Sequence, residues 1–216
     1  MTAVIGFSEF KRMLLGGVRS IQANHDRLSS LDAETGDGDH GVTMLRAANK
    51  IEALMAQFAG DDLKQMLNDI GWALFDLDGG ATGPLYGSLF TGMSDACAAG
   101  AGSAGLDGAA VARMFAAGLA AIREQTKAKV GDKTMLDALI PAVEVLGQLA
   151  QAGLPVEELL AGAATAAEQG ALSTQKLAAR FGRAKYQGER TIGHQDPGAT
   201  SAALLFRGFA DGLRTV

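Results

Sequence analysis

Apolar residues recur at helical spacing along almost the whole chain, and this period constrains the fold more than any other feature. Phe7, Phe10, Leu14, Val18, Ile21 and Leu28 fall three, four or seven residues apart and mark one stripe of a first helix. Further periodic segments cover roughly 41–58, 61–77, 84–100, 107–125, 134–152, 156–171 and 197–213, with 174–182 as a short or irregular piece. No stretch shows the alternation or the β-branched richness of a strand. Glycine, 29 of 216 residues against a usual share of about 7%, punctuates the helical segments. About eight helices joined by connections of a few residues favour antiparallel neighbours. The predicted fold is therefore all-α, a closed up-and-down bundle with its site-building loops gathered at one end.

A hydrophobic fraction of 48% suffices for one sizeable core, and neither a linker composition nor an internal repeat divides the chain, so residues 1–216 read as a single domain. There is no apolar run of about 18 residues and no basic-then-apolar leader, which predicts a soluble, cytoplasmic protein without a membrane partner. The net charge of −5 comes without basic clusters, which argues against nucleic acid as a ligand. Cys97 is the only cysteine, so a disulfide framework and a thiolate zinc site are both excluded, and its alanine-rich surroundings predict a buried, inert thiol.

The first stripe, continued, lands on Asp32, an inward-facing carboxylate in the helix's last turn that needs a partner if buried. Around it runs Leu31-Asp-Ala-Glu-Thr-Gly-Asp-Gly-Asp-His-Gly-Val-Thr-Met44. Two glycines able to take positive φ let Asp32, Asp37 and Asp39 converge. Carboxylates about 4 Å apart repel by roughly 4 kcal/mol at an effective dielectric near 20, so the triplet calls for a cation, and Mg²⁺ is held by a few carboxylates together with substrate phosphates. A calcium EF-hand fails here: counted from Asp37, Ala48 falls where the bidentate glutamate belongs. His40 to Thr43 open the next helix, so their N–H groups would face a phosphate beside the metal. The plainer reading is an Asp/Gly turn with Asp39 as an N-cap.

Three other loops carry polar chemistry. Gly79-Gly-Ala-Thr-Gly-Pro84 precedes a helix with Thr82 as its expected cap; it can cradle phosphate, or simply start the helix. Gly131-Asp-Lys-Thr-Met-Leu-Asp137 resembles a capping box in which Thr134 caps and Asp137 answers, and the Met135 thioether suits either the core or the face of an adenine. Residues 182–198 form a long glycine-rich loop in which Arg183 or Arg190 offers donors to phosphate or pairs on the surface. His194 reads as an ordinary hydrogen-bonded loop residue, and His25 as a satisfied core histidine.

Four motifs in order, Gly-Asp-Gly-Asp-His-Gly (36–41), Gly-Gly-Ala-Thr-Gly-Pro (79–84), Gly-Asp-Lys-Thr-Met (131–135) and Gly-Glu-Arg-Thr-Ile-Gly-His-Gln-Asp-Pro-Gly-Ala (188–199), resemble the L subunit, or L domain, of dihydroxyacetone kinases. The resemblance implies a barrel of eight antiparallel helices with ADP or ATP and two Mg²⁺ ions at one mouth. It implies that Asp32, Asp37 and Asp39 bind Mg²⁺ and that His40, Gly41, Val42 and Thr43 lie along the phosphates. Ala81 and Thr82 would add phosphate contacts and Met135 would pack on the adenine. Arg183 and the turn Asp196-Pro197-Gly198 would complete the site. Before Gly131, where the family often has a glycine touching nucleotide, this chain has Thr126 and Lys127, and Thr126 takes that place.

The family divides its work: the L chain presents the phosphoryl group, and a separate K chain holds the short ketose or aldose through its own histidine. The expected function is a phosphotransferase subunit needing a K-type partner, charged by ATP or by a phosphotransferase-system protein. The alternative is a nucleotide-dependent regulatory or interaction module. A metal-dependent hydrolase is weaker, because only His40 and His194 could serve as a base.

Overall fold

The computed structural model of the chain describes residues 4–78 and 80–214, so Gly79 of the second motif lies outside the described residues. Eight long helices account for most of it: α1 (Phe7–Thr35), α2 (His40–Gln57), α3 (Leu63–Phe75), α4 (Thr82–Ala96), α6 (Gly108–Gln125), α7 (Leu136–Gln151), α8 (Val156–Ser173) and α9 (Pro197–Arg214). A four-residue turn, α5 (Ala101–Ala104), occupies a stretch expected to be a plain connection. Helix α4 ends four residues short of its expected limit of 100, because Cys97 turns extended (φ −75°, ψ 123°) and leaves the helical path.

Each long helix packs on the next, and α9 returns to lie along α1, closing the expected barrel. The closing seam explains some of the glycine content. A Cβ on Gly16 of α1 would stand 2.1 Å from the Gly208 carbonyl oxygen of α9, so the two backbones touch only because both residues lack side chains. Inside, Phe115 of α6 packs against Phe206 and Phe209 of α9 with ring centroids 5.3 and 6.0 Å apart. The α1 stripe is buried at Phe10, Leu14, Val18, Ile21 and Leu28, while Phe7 is half-buried and stacks on Phe58 at 6.1 Å. Cys97 is buried, and burial pushes its thiol pKa up, which leaves it the inert thiol expected from its surroundings.

Local signals set the helix starts. Asp62 and Asp107 accept hydrogen bonds from Gln65 N (3.0 Å) and Ala110 N (2.7 Å) and so cap α3 and α6. The only β-bridge among the described residues is an isolated antiparallel one, Ile5 with Leu106, which ties the residues before α1 to the end of the barrel away from the site. No helix of the described residues is long and apolar enough to cross a membrane.

Two readings of the sequence need correction. His25 is half-buried rather than in the core, its Nδ1 3.3 Å from the exposed carboxylate of its neighbour Asp26. The segment 182–198 is not a uniform loop: Arg183–Thr191 winds into 3₁₀ turns broken at Gly188 (φ 57°).

Candidate nucleotide and metal site

The loops after α1, α3 and α6 and the segment before α9 open together onto one cavity of about 460 Å³, within the usual range for small-molecule sites. Helix α1 continues past Asp32 to Thr35 before Gly36 ends it. Of the two loop glycines, only Gly38 takes positive φ, 79°; Gly36, at φ −133° and ψ −139°, leaves room for Asp32, whose Oδ1 would lie 2.4 Å from a Cβ there.

The turn brings the carboxylates together. Asp32, Asp37 and Asp39 each offer an oxygen, and these oxygens lie within 4.8 Å of one another. Three hard oxygen donors on one wall of a cavity fit Mg²⁺ with open positions left for phosphate oxygens. Asp32 Oδ2 also accepts from the backbone N–H of His40 at 3.2 Å, which links the triplet to the first turn of α2. Asp39 occupies the N-cap position, but its side chain does not cap; it faces Arg183 Nη1 at 3.3 Å, and the same guanidinium pairs with Asp37.

Thirteen of the fifteen expected residues line this cavity: the three carboxylates with His40, Thr43, Ala81, Thr82, Thr126, Met135, Arg183, Asp196, Pro197 and Gly198. Gly41 and Val42 do not. Gly41 is buried against α1 and Val42 points to solvent at 45% exposure, so only their backbone could reach a ligand. Thr82 is the first residue of α4 and makes no cap; Ala81 precedes it. At the other helix start, Asp137 accepts from Thr134 N at 2.7 Å and Thr134 Oγ1 accepts from Leu136 N at 3.2 Å, so the expected capping exchange forms around Thr134. Arg190 lies outside the cavity lining, and the half-buried His194 sits 3.7 Å from Glu34.

Residues 34–211 match the DAK2 domain. The chain belongs to the DAK2 domain family. The ADP-binding subunit DhaL of the PEP-dependent dihydroxyacetone kinase of Escherichia coli K12 is 40% identical over 180 residues, 83% of this chain and 84% of that one. The ADP-binding subunit DhaL of PEP-dependent dihydroxyacetone kinase 1 of Listeria innocua is 39% identical over 186 residues, 86% of each chain. Among solved structures, the C. freundii dihydroxyacetone kinase in complex with AMP-PNP and Mg²⁺ superposes with a TM-score of 0.74 at 28% identity, covering 98% of this chain and 35% of that one. The DAK2 match begins at residue 34 and so does not include Asp32, whose place in the triplet rests on the α1 stripe and on the geometry.

Sequence reading missed the buried chain beneath the mouth of this DAK2 domain. His40 Nε2 lies 3.1 Å from Ser201 Oγ, which lies 3.2 Å from the Tyr86 hydroxyl and donates to the Gly198 carbonyl at 2.9 Å. The imidazole is thus turned into the protein. Burial lowers its pKa, against the opposing pull of Asp32 and the Pro197 carbonyl, so it stays uncharged at neutral pH. Burial likewise pushes the Tyr86 phenol up to about 12.

Asp196 accepts from Ala199 N at 2.7 Å at the start of α9. Burial pushes its carboxyl up to about 7, reinforced by Asp137 and Asp32 and opposed by the Ala199 N–H and Lys133. The native protein therefore holds a proton there that the unfolded chain releases near pH 4, and stability falls as pH rises between about 4 and 7. Asp196→Asn keeps an acceptor for Ala199 and removes the titration. In chelator-treated protein its stability relative to wild type is expected to increase with pH across that window, by at most about 1.4 kcal/mol per unit. Parallel urea melts of both proteins at pH 5 and 8 check this, and an unchanged difference would refute the assignment.

Proposed function

We propose that this chain, as one L-type domain over residues 1–216, carries ADP or ATP with Mg²⁺ and presents the phosphoryl group to a short ketose or related sugar held by a separate K-type subunit. The observation that carries the reading is the convergence of the carboxylate triplet, the start of α2 and the Met135 wall on one cavity. The names of the relatives, ADP-binding subunits of PEP-dependent dihydroxyacetone kinases, support the same ligand and reaction.

Asp32, Asp37 and Asp39 would hold Mg²⁺, which when bound draws charge off the phosphate oxygens. The first-turn N–H groups of α2 have no helical partners and would donate to phosphate, with the positive helix end adding to the attraction. Ala81 and Thr82 would close over the phosphates from the facing loop. Thr126 and the Met135 thioether would form the base end, where a polarizable apolar surface suits an adenine face. Arg183, now spread over Asp37 and Asp39, can turn its fork toward phosphate oxygens on the same rim. His40 is held by Ser201 and takes no proton from the acceptor hydroxyl, which leaves that role to the partner chain. This arrangement positions and neutralises, which is most of what phosphoryl transfer asks of a protein.

A Lactococcus lactis relative, 34% identical over 186 residues, is named as the ADP-binding subunit of a PTS-dependent dihydroxyacetone kinase, so a phosphotransferase-system protein is the proposed alternative to ATP for recharging. Calorimetric titration of ADP and ATP, with and without Mg²⁺, tests the reading. Dissociation constants of about 1 μM or lower that require Mg²⁺ are expected. Absence of binding in both conditions would overturn it, and Mg²⁺-dependent binding without transfer to dihydroxyacetone when a K-type subunit is supplied would favour a regulatory role.

A further inference from the structure

Lys133 combines two features that a protein rarely tolerates in one residue. It is the only non-glycine residue with positive φ among the described residues, at 60°, and its side chain is buried, with 2% of the residue exposed. A left-handed backbone strains any residue with a Cβ, and a buried ammonium is costly unless it is fully hydrogen-bonded. Such a residue persists only where its surroundings determine it on several sides.

Those surroundings are the walls of the cavity. Lys133 Nζ donates to the Thr174 carbonyl at 2.7 Å and to the His194 carbonyl. Thr174, itself fully buried, closes the end of α8, and its Oγ1 accepts from Asp196 N at 2.9 Å. Gly193 N donates to the Gln175 carbonyl at 2.7 Å, a second tie between the same two segments. On the other side the Asp137 carboxylate gathers Gly131 N (2.6 Å) and Thr134 N (2.7 Å), fixing the turn in which Lys133 sits. The ammonium thus spans three pieces of chain: the turn before α7, the end of α8 and the turn before α9.

The two turns meet at the cavity. A Cβ on Gly198 would lie 3.4 Å from Met135 N and 3.6 Å from Met135 Cβ, so the wall bearing Met135 and the wall bearing Asp196 to Gly198 are in contact. Lys133 is among the residues lining the cavity, but it is almost wholly buried and two of its three ammonium hydrogens serve carbonyls, so its main action is on the walls. We propose that Lys133 is a positioning residue for the nucleoside end of the pocket: its buried ammonium, through the Thr174 and His194 carbonyls, locks the Met135 turn against the Asp196–Gly198 turn. This rests on the nucleotide reading above. The carboxylate triplet lies on α1 and the loop before α2, outside this strut.

The test uses the full chain and two variants, Lys133→Met, which keeps the stem and drops the donors, and Lys133→Asn, which tolerates the left-handed backbone but cannot reach the carbonyls. Three quantities are read: affinity for ADP at saturating Mg²⁺, affinity for GDP under the same conditions, and affinity for Mn²⁺ alone by electron paramagnetic resonance. In both variants ADP is expected to bind at least about tenfold more weakly, the cost of a wall displaced by a fraction of an ångström. The preference for ADP over GDP should shrink by a similar factor while Mn²⁺ affinity stays within twofold. General loosening of the fold would not change base preference selectively. ADP binding and base preference like wild type, or a parallel loss of Mn²⁺ binding, would overturn the proposal, as would failure of both variants to fold. If wild type itself binds no ADP, the nucleotide reading fails instead.

Discussion

Asp37→Ala is expected to weaken Mg²⁺-dependent ADP binding by at least about 100-fold, about 2.7 kcal/mol, with the far-UV circular dichroism of an all-helical protein retained. The expectation follows from the donor set. Three carboxylate oxygens lie within 4.8 Å of one another, and removing the middle residue in sequence would leave only Asp32 and Asp39 for the proposed Mg²⁺, whose remaining coordination would come from phosphate. The side chain supports little else: it is half exposed, and its partner among the described residues, Arg183, keeps a second contact on Asp39. For the same reason the metal-free variant is not expected to gain much stability. A bare triplet would be relieved by losing a charge, but the guanidinium already offsets that repulsion, and exposed pairs contribute only about 0–1 kcal/mol. Calorimetry with and without Mg²⁺, beside urea melts of the same samples, reads both effects. Unchanged ADP affinity in Mg²⁺ would remove Asp37 from the metal site.

How much of this was legible depended on whether the chemistry is contiguous. The stripe from Phe10 to Leu28 predicted the buried face of α1 and pointed at Asp32, because one helix carries the whole pattern. The Asp-Gly loop could be read for the same reason: three carboxylates within eight residues have few ways to avoid one another once a glycine turns the chain. His40 was visible, yet its side-chain role was not, because Ser201 stands 161 residues away and nothing local marks it as a partner. Lys133 was hidden in a capping motif, where Thr134 and Asp137 explain the local backbone without it; its carbonyl partners come from Thr174 and His194. His25 was misplaced because it lies near the stripe's edge, where a few tens of degrees separate core from solvent. Thr82 was assigned to a cap because threonine before Gly-Pro commonly serves as one, whereas α4 begins at Thr82 itself.

Gly41 shows why the first turn of α2 can serve as a phosphate site at all. The expectation placed it along the phosphates, but its own lack of a side chain is used on the opposite side, toward α1. A Cβ there would stand 1.9 Å from the His25 carbonyl oxygen and 2.6 Å from Ser29 N, and both are backbone atoms of a long, well-packed helix that cannot swing aside. In Gly41→Ala the start of α2 must therefore move off α1, which breaks the 3.2 Å contact between His40 N and Asp32 and pulls the helix terminus away from the carboxylates. Overpacking of this kind costs typically 1–3 kcal/mol, and contact with rigid backbone on two sides puts this case near about 3 kcal/mol. For a chain of this size that corresponds to a melting temperature lower by about 6–12 °C. ADP binding should weaken together with stability, since the same displacement would misalign the N–H groups and the carboxylates proposed to hold Mg²⁺. Val42→Ala supplies the comparison: the neighbouring side chain is 45% exposed, and its truncation should change stability by less than about 0.5 kcal/mol. Thermal and urea melts of the two variants separate the alternatives. If Gly41→Ala melts with wild type, α1 and α2 do not approach as described, and the link from Asp32 to the α2 terminus falls with that contact.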